Sequence, residues 1–121
     1  MKIGIVEDEA VWRDKIQTLI EKYCRDKNIP SQINSYKSGK DFMKNADADL
    51  LFLDIELAEG EDGFEIAEQL MNLGNKCKVC FLTSHTESAR LGYRVNAFRY
   101  IDKKHLEEIG EAIDFFLKTN I

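Results

Sequence analysis

The sequence predicts an α/β protein in which five parallel strands form one sheet with helices on both faces. Short apolar runs alternate with segments of helical periodicity along the whole chain, a pattern typical of right-handed βαβ crossovers. Two runs, LLFL (50–53) and VCFL (79–82), are continuously apolar, as strands buried on both sides are. The more polar SQINSY (31–36) suits an edge strand, so the predicted strand order is 2-1-3-4-5.

The elements follow from apolar spacing and from turn residues. The predicted strands are KIGIV (2–6), SQINSY (31–36), LLFLD (50–54), KVCFLTS (78–84) and AFRYI (97–101). Apolar stripes at helical spacing predict helices within 12–23, 64–71 and 106–117, and a shorter helix within 38–46. TESARLGYRV (86–95) predicts a weak fifth helix, because Gly92 in its interior costs about 1 kcal/mol relative to Ala.

The composition limits the class of protein and its partners. The 121 residues, 44% hydrophobic and 32% charged, predict a single globular domain over 1–121. A net charge of −5 argues against direct contact with nucleic acid, because phosphate contacts need clustered Lys and Arg. The sequence shows neither an apolar run of membrane-spanning length nor a signal peptide at its start. We therefore expect no membrane contact and a cytoplasmic location.

The cysteine pattern raises a redox or metal interpretation, which the spacing argues against. Cys77 and Cys80 form a C-x-x-C pattern, but residues three apart on a strand point to opposite faces. A structural zinc ion takes four ligands, and Cys24 is the one remaining thiol in the sequence. The odd count suits a reducing compartment, and packing as small hydrophobic side chains is the expected role.

Polar side chains follow four of the predicted strands at the point where each strand ends. They are Glu7 and Asp8 after the first strand, Asp54 and Glu56 after the third, Thr83 after the fourth and Lys103 after the fifth. Ligands of open α/β sheets bind beyond the carboxyl ends of the strands, so we expect these groups to meet at one edge. Converging carboxylates suit Mg²⁺, and a hydroxyl and an ammonium suit phosphoryl oxygens. The predicted chemistry is phosphoryl transfer with Asp54 as nucleophile.

Each of these residues also has an ordinary structural interpretation. Asp54 on its own could cap the turn that follows its strand. Glu7 and Asp8 could serve as first-turn acids that favour the dipole of the following helix. Tyr100 is expected to be half-buried in any case, and His105 lacks ligand partners in the sequence.

The motifs IVEDE (5–9), LFLDIEL (51–57), FLTSH (81–85) and AFRYIDK (97–103) together resemble the receiver domain of two-component response regulators, a flavodoxin-like fold. The resemblance implies Asp54 as phosphoacceptor, Lys103 as its cationic partner and Thr83 and Tyr100 as switch residues. It also implies Mg²⁺ held by Glu7, Asp8, Asp54 and the backbone carbonyl of Glu56. Glu56 and His85 are expected to modulate dephosphorylation through water access.

The residues of these motifs are most similar to those of pheromone-responsive regulators that carry a LytTR-type DNA-binding domain. The resemblance implies a sensor histidine kinase as partner, a transcriptional output outside this chain, and self-catalysed phosphorylation rather than enzymatic turnover of a substrate. The last helices and strand, with Arg90, Arg94 and Arg99, are a candidate homodimer surface. We expect the chain to be an excised receiver rather than a stand-alone one.

Two departures from the family pattern affect the predicted site. Lys104 stands where the family usually has proline, and the loop IELAEGEDG (55–63) lacks the usual proline and is one residue longer. The direction of the Lys103 side chain and the arrangement of the metal ligands therefore need to be tested against the structure. Two alternatives also remain open: a pseudo-receiver that acts only as an interaction module, and a Toprim-like Mg²⁺-dependent nuclease, which gives Thr83 and Lys103 no role.

Overall fold

The computed structural model describes residues 1–84 and 97–119. Its strands are β1 (Lys2–Val6), β2 (Gln32–Tyr36), β3 (Leu50–Asp54), β4 (Lys78–Thr83) and β5 (Arg99–Asp102). Its helices are α1 (Ala10–Asp26), α2 (Gly39–Met43), α3 (Gly63–Asn72) and α4 (Glu108–Thr119), with short 3-10 turns at Ala58–Gly60 and Lys103–His105. The predicted helix 86–95 lies outside the described residues. The sheet is parallel with the order β2-β1-β3-β4-β5, so the predicted fold class is confirmed.

Alternate side chains of the central strands form two hydrophobic cores, one on each face of the sheet. Successive residues of a strand point to opposite faces, and all five residues of β3 are buried. On one face the strands pack with α1 and α4 through Ile5, Phe52, Leu82, Ile20 and Ile113. On the other face they pack with α2 and α3 through Leu51, Leu53, Phe81, Phe42 and Ile66. The edge strand β2 is only partly buried, as its polar sequence predicts.

The predicted stripes are buried or partly buried in the described helices, and Met71 is the exception. Ile109, Ile113 and Phe116 of α4 are buried, whereas Met71 at the end of α3 is 47% exposed. Ile66 takes the core position in α3, because residues 66, 67 and 70 lie on one side of the helix. Within residues 1–84 and 97–119, no helix combines the length and apolar character that crossing a bilayer requires.

The start of α1 corrects one prediction from the sequence. The helix begins at Ala10, and its first turn contains no acidic residue, so Glu7 and Asp8 do not act as first-turn acids. Glu9 is the N-cap and keeps an extended backbone. The guanidinium of Arg13 donates to the carbonyl oxygens of Glu7, at 2.9 Å, and Asp8, at 3.3 Å. These bonds hold the two acidic residues in the turn between β1 and α1.

Gly63 sets the distance between α3 and the end of β3. A Cβ atom at this position would clash with the carbonyl oxygen of Asp54 and lie 2.9 Å from the Cα of Ile55. We therefore expect Gly63→Ala to lower the free energy of unfolding by about 1–3 kcal/mol through overpacking. Urea denaturation measures the effect. Gln69→Ala, an exposed position on the same helix, serves as control and should stay within about 0.5 kcal/mol of wild type. Equal stabilities for the two variants would contradict this prediction.

Candidate functional site

The polar residues predicted from the sequence lie together at the carboxyl ends of adjacent strands. Asp54 is the last residue of β3, which lies between β1 and β4 in the sheet. Glu7 and Asp8 directly follow β1, Thr83 ends β4, and Lys103 directly follows β5. Burial is nearly complete for the charged pair at the centre, since Glu7 is 0% and Asp54 is 4% exposed. The parallel topology thus brings residues about 50 and 100 positions apart in the sequence into one site.

Lys103 is the cation of this site. Its Nζ donates to Oε1 of Glu7 at 2.8 Å and to Oδ2 of Asp54 at 3.0 Å. Burial alone lowers the pKa of Lys103, but the hydrogen bond to Glu7 and the charge of Asp54 outweigh it, and the net pKa is raised. The ammonium is therefore charged throughout the physiological range. The ring of Trp12 lies next to it, with its centroid 5.1 Å from Nζ, a cation–π contact.

Glu7 is the most perturbed acid of the cluster. Its pKa is raised to about 8; burial is the largest cause, the hydrogen bond and charge of Asp54 act in the same direction, and Lys103 acts in the opposite direction. Its Oε2 atom is buried and has no hydrogen-bond partner among the described residues. A buried carboxylate oxygen without a partner is costly. In the metal-free protein, the raised pKa therefore favours the protonated form of Glu7.

The same acids meet the requirements of a divalent metal site. One oxygen from each of Glu7, Asp8 and Asp54 lies within 4.8 Å of the other two. Carboxylate oxygens are the ligands that Mg²⁺ takes in proteins, usually with several waters. The residues present therefore fit this ion.

The carboxylate of Asp54 also receives a backbone bond from the loop that follows it. The N–H of Glu56 donates to Oδ1 of Asp54 at 3.2 Å, so the turn-capping interpretation and the site interpretation hold together. Oδ1 and Oδ2 thus have different partners, a backbone amide and an ammonium. These two contacts fix the orientation of the carboxylate.

Thr83 and Tyr100 lie on the adjoining strands. Thr83 is buried and pairs in register with Asp102 of β5. The ring of Tyr100 stacks on Phe81 with a centroid distance of 5.3 Å and an interplanar angle of 25°. Burial raises the pKa of Tyr100, and its hydroxyl has no hydrogen-bond partner within residues 1–84 and 97–119. Tyr100 is half-buried, as expected.

Several predicted positions lie outside the described residues or away from the site. His85, Arg90 and Arg94 belong to the first group. Arg99 pairs within the chain, at 2.8 Å from Glu111 and 3.8 Å from Glu108. An exposed His105 lies 3.3 Å from Glu107, on the surface.

The C-x-x-C pattern does not form a reactive thiol pair. Cys80 packs in the core on the α1 face, and Cys77 packs against the core on the α3 face, so their side chains point to opposite sides of the sheet. Burial raises the pKa of Cys77 to about 12 and raises that of Cys80 as well. Both thiols are protonated at neutral pH and are poor nucleophiles.

Sequence reasoning did not identify three residues that contact the site or its supporting turns. Trp12 was assigned to the core stripe of α1, and Arg13 and Glu61 were assigned no role. Arg13 binds the carbonyl oxygens of Glu7 and Asp8, and Glu61 binds the start of α2. The extra residue in the loop after Asp54 was the one available signal for Glu61.

The fold is that of receiver domains. The response regulatory domain of protein mrkE from Klebsiella pneumoniae is similar with a TM-score of 0.81 and 27% identity, over 98% of this chain and 97% of that chain. The N-terminal domain of a response regulator/sensory box/GGDEF 3-domain protein from Carboxydothermus hydrogenoformans is similar with a TM-score of 0.80 and 27% identity. The match covers 98% of this chain and 95% of that one.

Residues 3–114 match the family model described as the response regulator receiver domain, and the chain belongs to this family. It is 31% identical to the sensory transduction protein LytT of Bacillus subtilis over 99% of this chain and 49% of the relative. It is 29% identical to the accessory gene regulator protein A of Staphylococcus aureus over 98% of this chain and 53% of the relative. The chain thus spans about half the length of these relatives. The predicted resemblance to LytTR-type regulators is confirmed.

Membership of this family defines the general class of activity. Receiver domains of response regulators are signalling domains of two-component systems, not conventional enzymes. The Toprim-like nuclease alternative is not favoured by these comparisons.

The raised pKa of Glu7 predicts a pH-dependent stability. The folded protein keeps a proton on Glu7 up to about pH 8, whereas the unfolded chain loses it near the ordinary value of 4.5. In EDTA, the free energy of unfolding should therefore fall as pH rises from about 5 to about 8, by up to about 1.4 kcal/mol per pH unit. Urea denaturation at several pH values measures this slope. Glu7→Gln should flatten it, and the exposed control Glu65→Gln should not. If the free energy of unfolding of Glu7→Gln falls with pH as steeply as that of wild type, the raised pKa does not belong to Glu7.

Proposed function

We propose that this domain accepts a phosphoryl group on Asp54 from the phosphohistidine of a sensor histidine kinase, and so controls a transcriptional output outside the chain. The observation that supports it most is the contact of Lys103 with both Glu7 and Asp54, at 2.8 and 3.0 Å, within an acidic cluster whose third member is Asp8. Phosphoryl transfer needs positive charge near the acceptor carboxylate; Lys103 provides an ammonium, and Glu7, Asp8 and Asp54 would hold a metal ion.

Mg²⁺ is the proposed cofactor. Asp8, Asp54 and the backbone carbonyl of Glu56 would hold it, with Glu7 acting through water. When bound, Mg²⁺ supplies positive charge that offsets the charge of the phosphoryl oxygens. The buried, unpartnered Oε2 of Glu7 and the spacing of the carboxylates support this assignment.

The transfer itself is a displacement at phosphorus. A carboxylate oxygen of Asp54 forms the new O–P bond while the N–P bond of the phosphohistidine breaks. The imidazole nitrogen keeps the electron pair of the broken bond and takes a proton from solvent. Lys103, which already donates to Oδ2 of Asp54, hydrogen-bonds the phosphoryl oxygens as their charge develops. We expect the reaction to be self-catalysed, because the groups that stabilise the developing charge belong to the receiver domain itself.

The consequence of phosphorylation is a change on the β4 and β5 side of the site. Thr83 would hydrogen-bond a phosphoryl oxygen, and Tyr100 would turn into the space that Thr83 leaves. The buried hydroxyl of Tyr100 has no hydrogen-bond partner among the described residues, which supports a side chain that can change position. Glu56 and His85 would set the access of water to the phosphoryl group and so its lifetime. The name of one relative, accessory gene regulator protein A, supports an output in gene regulation, and a cytoplasmic location is part of the same proposal.

Asp54→Asn tests the acceptor. We expect intact mass spectrometry to show addition of one phosphoryl group to wild type with acetyl phosphate and Mg²⁺, and none to Asp54→Asn. Asp26→Asn, an exposed change at the far end of α1, is the control and should be modified like wild type. If Asp54→Asn is modified as fully as wild type, Asp54 is not the acceptor. If wild type and Asp26→Asn both remain unmodified, the pseudo-receiver alternative is favoured.

Lys103→Met tests the cation. Loss of a preorganised donor at the developing charge should slow phosphorylation by acetyl phosphate roughly a hundredfold at saturating Mg²⁺. Lys104→Met, the same change at the exposed neighbouring position, should leave the rate close to that of wild type. Circular dichroism is the control for folding, and both variants should give the spectrum of wild type. Equal rates for the two variants would contradict the role of Lys103.

A further inference from the structure

We infer that Glu61 is a positioning residue for the phosphoryl and metal site, acting through the β3–α3 loop, residues 55–62. The inference rests on the proposed function, because it concerns the same site. Glu61 lies seven positions after Asp54, in the loop that is longer than the family pattern predicts. Its carboxylate contacts no member of the acidic cluster that the structure describes.

The carboxylate of Glu61 binds the start of α2 through both oxygens. Oε1 accepts from the backbone N–H of Gly39 and Oε2 from that of Lys40, each at 2.9 Å. The next amide, that of Asp41, donates to the side chain of Ser38 at 3.1 Å. The exposed N–H groups at a helix start need such acceptors, and an ionised acceptor forms the stronger bond. Glu61 therefore caps a helix that is more than twenty residues away in the sequence.

The loop transmits this attachment to Asp54 through backbone bonds. The N–H of Leu57 donates to the carbonyl oxygen of Glu61 at 3.2 Å, and Gly63 N–H donates to that of Ile55 at 2.8 Å. Glu56 and Asp62 form an antiparallel bridge between the two halves of the loop. Glu56 N–H in turn donates to Oδ1 of Asp54. The loop is thus a small closed unit with α2 at one end and the acceptor carboxylate at the other.

Both ends of the Glu61 contact have little freedom to move. A Cβ atom on Gly39 would clash with the side chain of Ile66 in α3 and lie 3.3 Å from Oε2 of Glu61. The start of α2 is therefore packed directly against α3. Without the Glu61 bonds, the β3–α3 loop would keep its own backbone hydrogen bonds but lose its attachment to the start of α2. The expected consequence is a less defined position of Glu56, whose carbonyl and N–H both serve the proposed site.

The test compares Glu61→Ala with Glu65→Ala, which removes the same charge from an exposed position four residues later. Trp12, the single tryptophan of the chain, lies beside Lys103, so its fluorescence should report Mg²⁺ binding. We expect Glu61→Ala to raise the Kd for Mg²⁺ roughly tenfold, as loss of residues that orient metal ligands does. Glu65→Ala should change it less than about twofold, because exposed charges are screened. Amide hydrogen exchange should accelerate at Gly39 and Lys40 in Glu61→Ala alone.

The outcomes separate this inference from the proposed function. If wild type binds Mg²⁺ and accepts a phosphoryl group but Glu61→Ala has the Kd of Glu65→Ala, the inference alone is overturned. If wild type shows neither response, the proposed function fails and the inference falls with it. Glu61→Gln covers the case in which Glu61→Ala does not fold, since glutamine keeps the length and one acceptor oxygen. Its Kd should lie above that of wild type, and a wild-type Kd would overturn the inference.

Discussion

The ammonium of Lys103 between the carboxylates of Glu7 and Asp54 is the interaction on which the site depends. Burying these charges is costly, and the attraction between them offsets the cost only where hydrogen bonds satisfy each group. One ammonium faces two carboxylates, with Asp8 adjacent, so the local positive charge is insufficient. The raised pKa of Glu7 shows how the metal-free protein compensates, by retaining a proton. A divalent cation at this cluster would supply the additional positive charge that the acids need.

The fold supplies this arrangement through the geometry of parallel strands. Each strand places its carboxyl end at the same edge, and the fully buried β3 carries Asp54 to the middle of that edge. The apolar residues of β3 pack into both cores, which hold the carboxylate in place. Gly63 then lets α3 begin in contact with the carbonyl of Asp54. The hydrophobic cores therefore determine the position of a charged group that would be unfavourable in their interior.

The sequence alone was sufficient for the elements within residues 1–84 and 97–119 and for the convergence of the acids, because both follow from local patterns. Continuous apolar runs predicted β3 and β4, and strand ends predicted the meeting of Asp54 with Lys103. The alternative that Glu7 and Asp8 are first-turn acids of α1 was wrong, because the helix begins at Ala10; the Arg13 bonds that hold their turn are not encoded in any propensity. The Glu61 cap and the Trp12 contact were missed for a related reason. They join residues far apart in the sequence, and their side chains alone do not indicate a partner.

The absence of proline after Lys103 shows how a different local interaction can aim the same side chain. Asp102 accepts the N–H of Lys104 at 2.8 Å and begins the 3-10 turn Lys103–His105. Proline has no N–H, so this bond requires another residue at position 104. The turn leaves Lys104 exposed and Lys103 buried, with its ammonium on Glu7 and Asp54. The lysine at position 104 and the aspartate at position 102 therefore act together. The side chain of Asp102 caps the turn and sets the backbone path into the site, where the family usually has a proline ring.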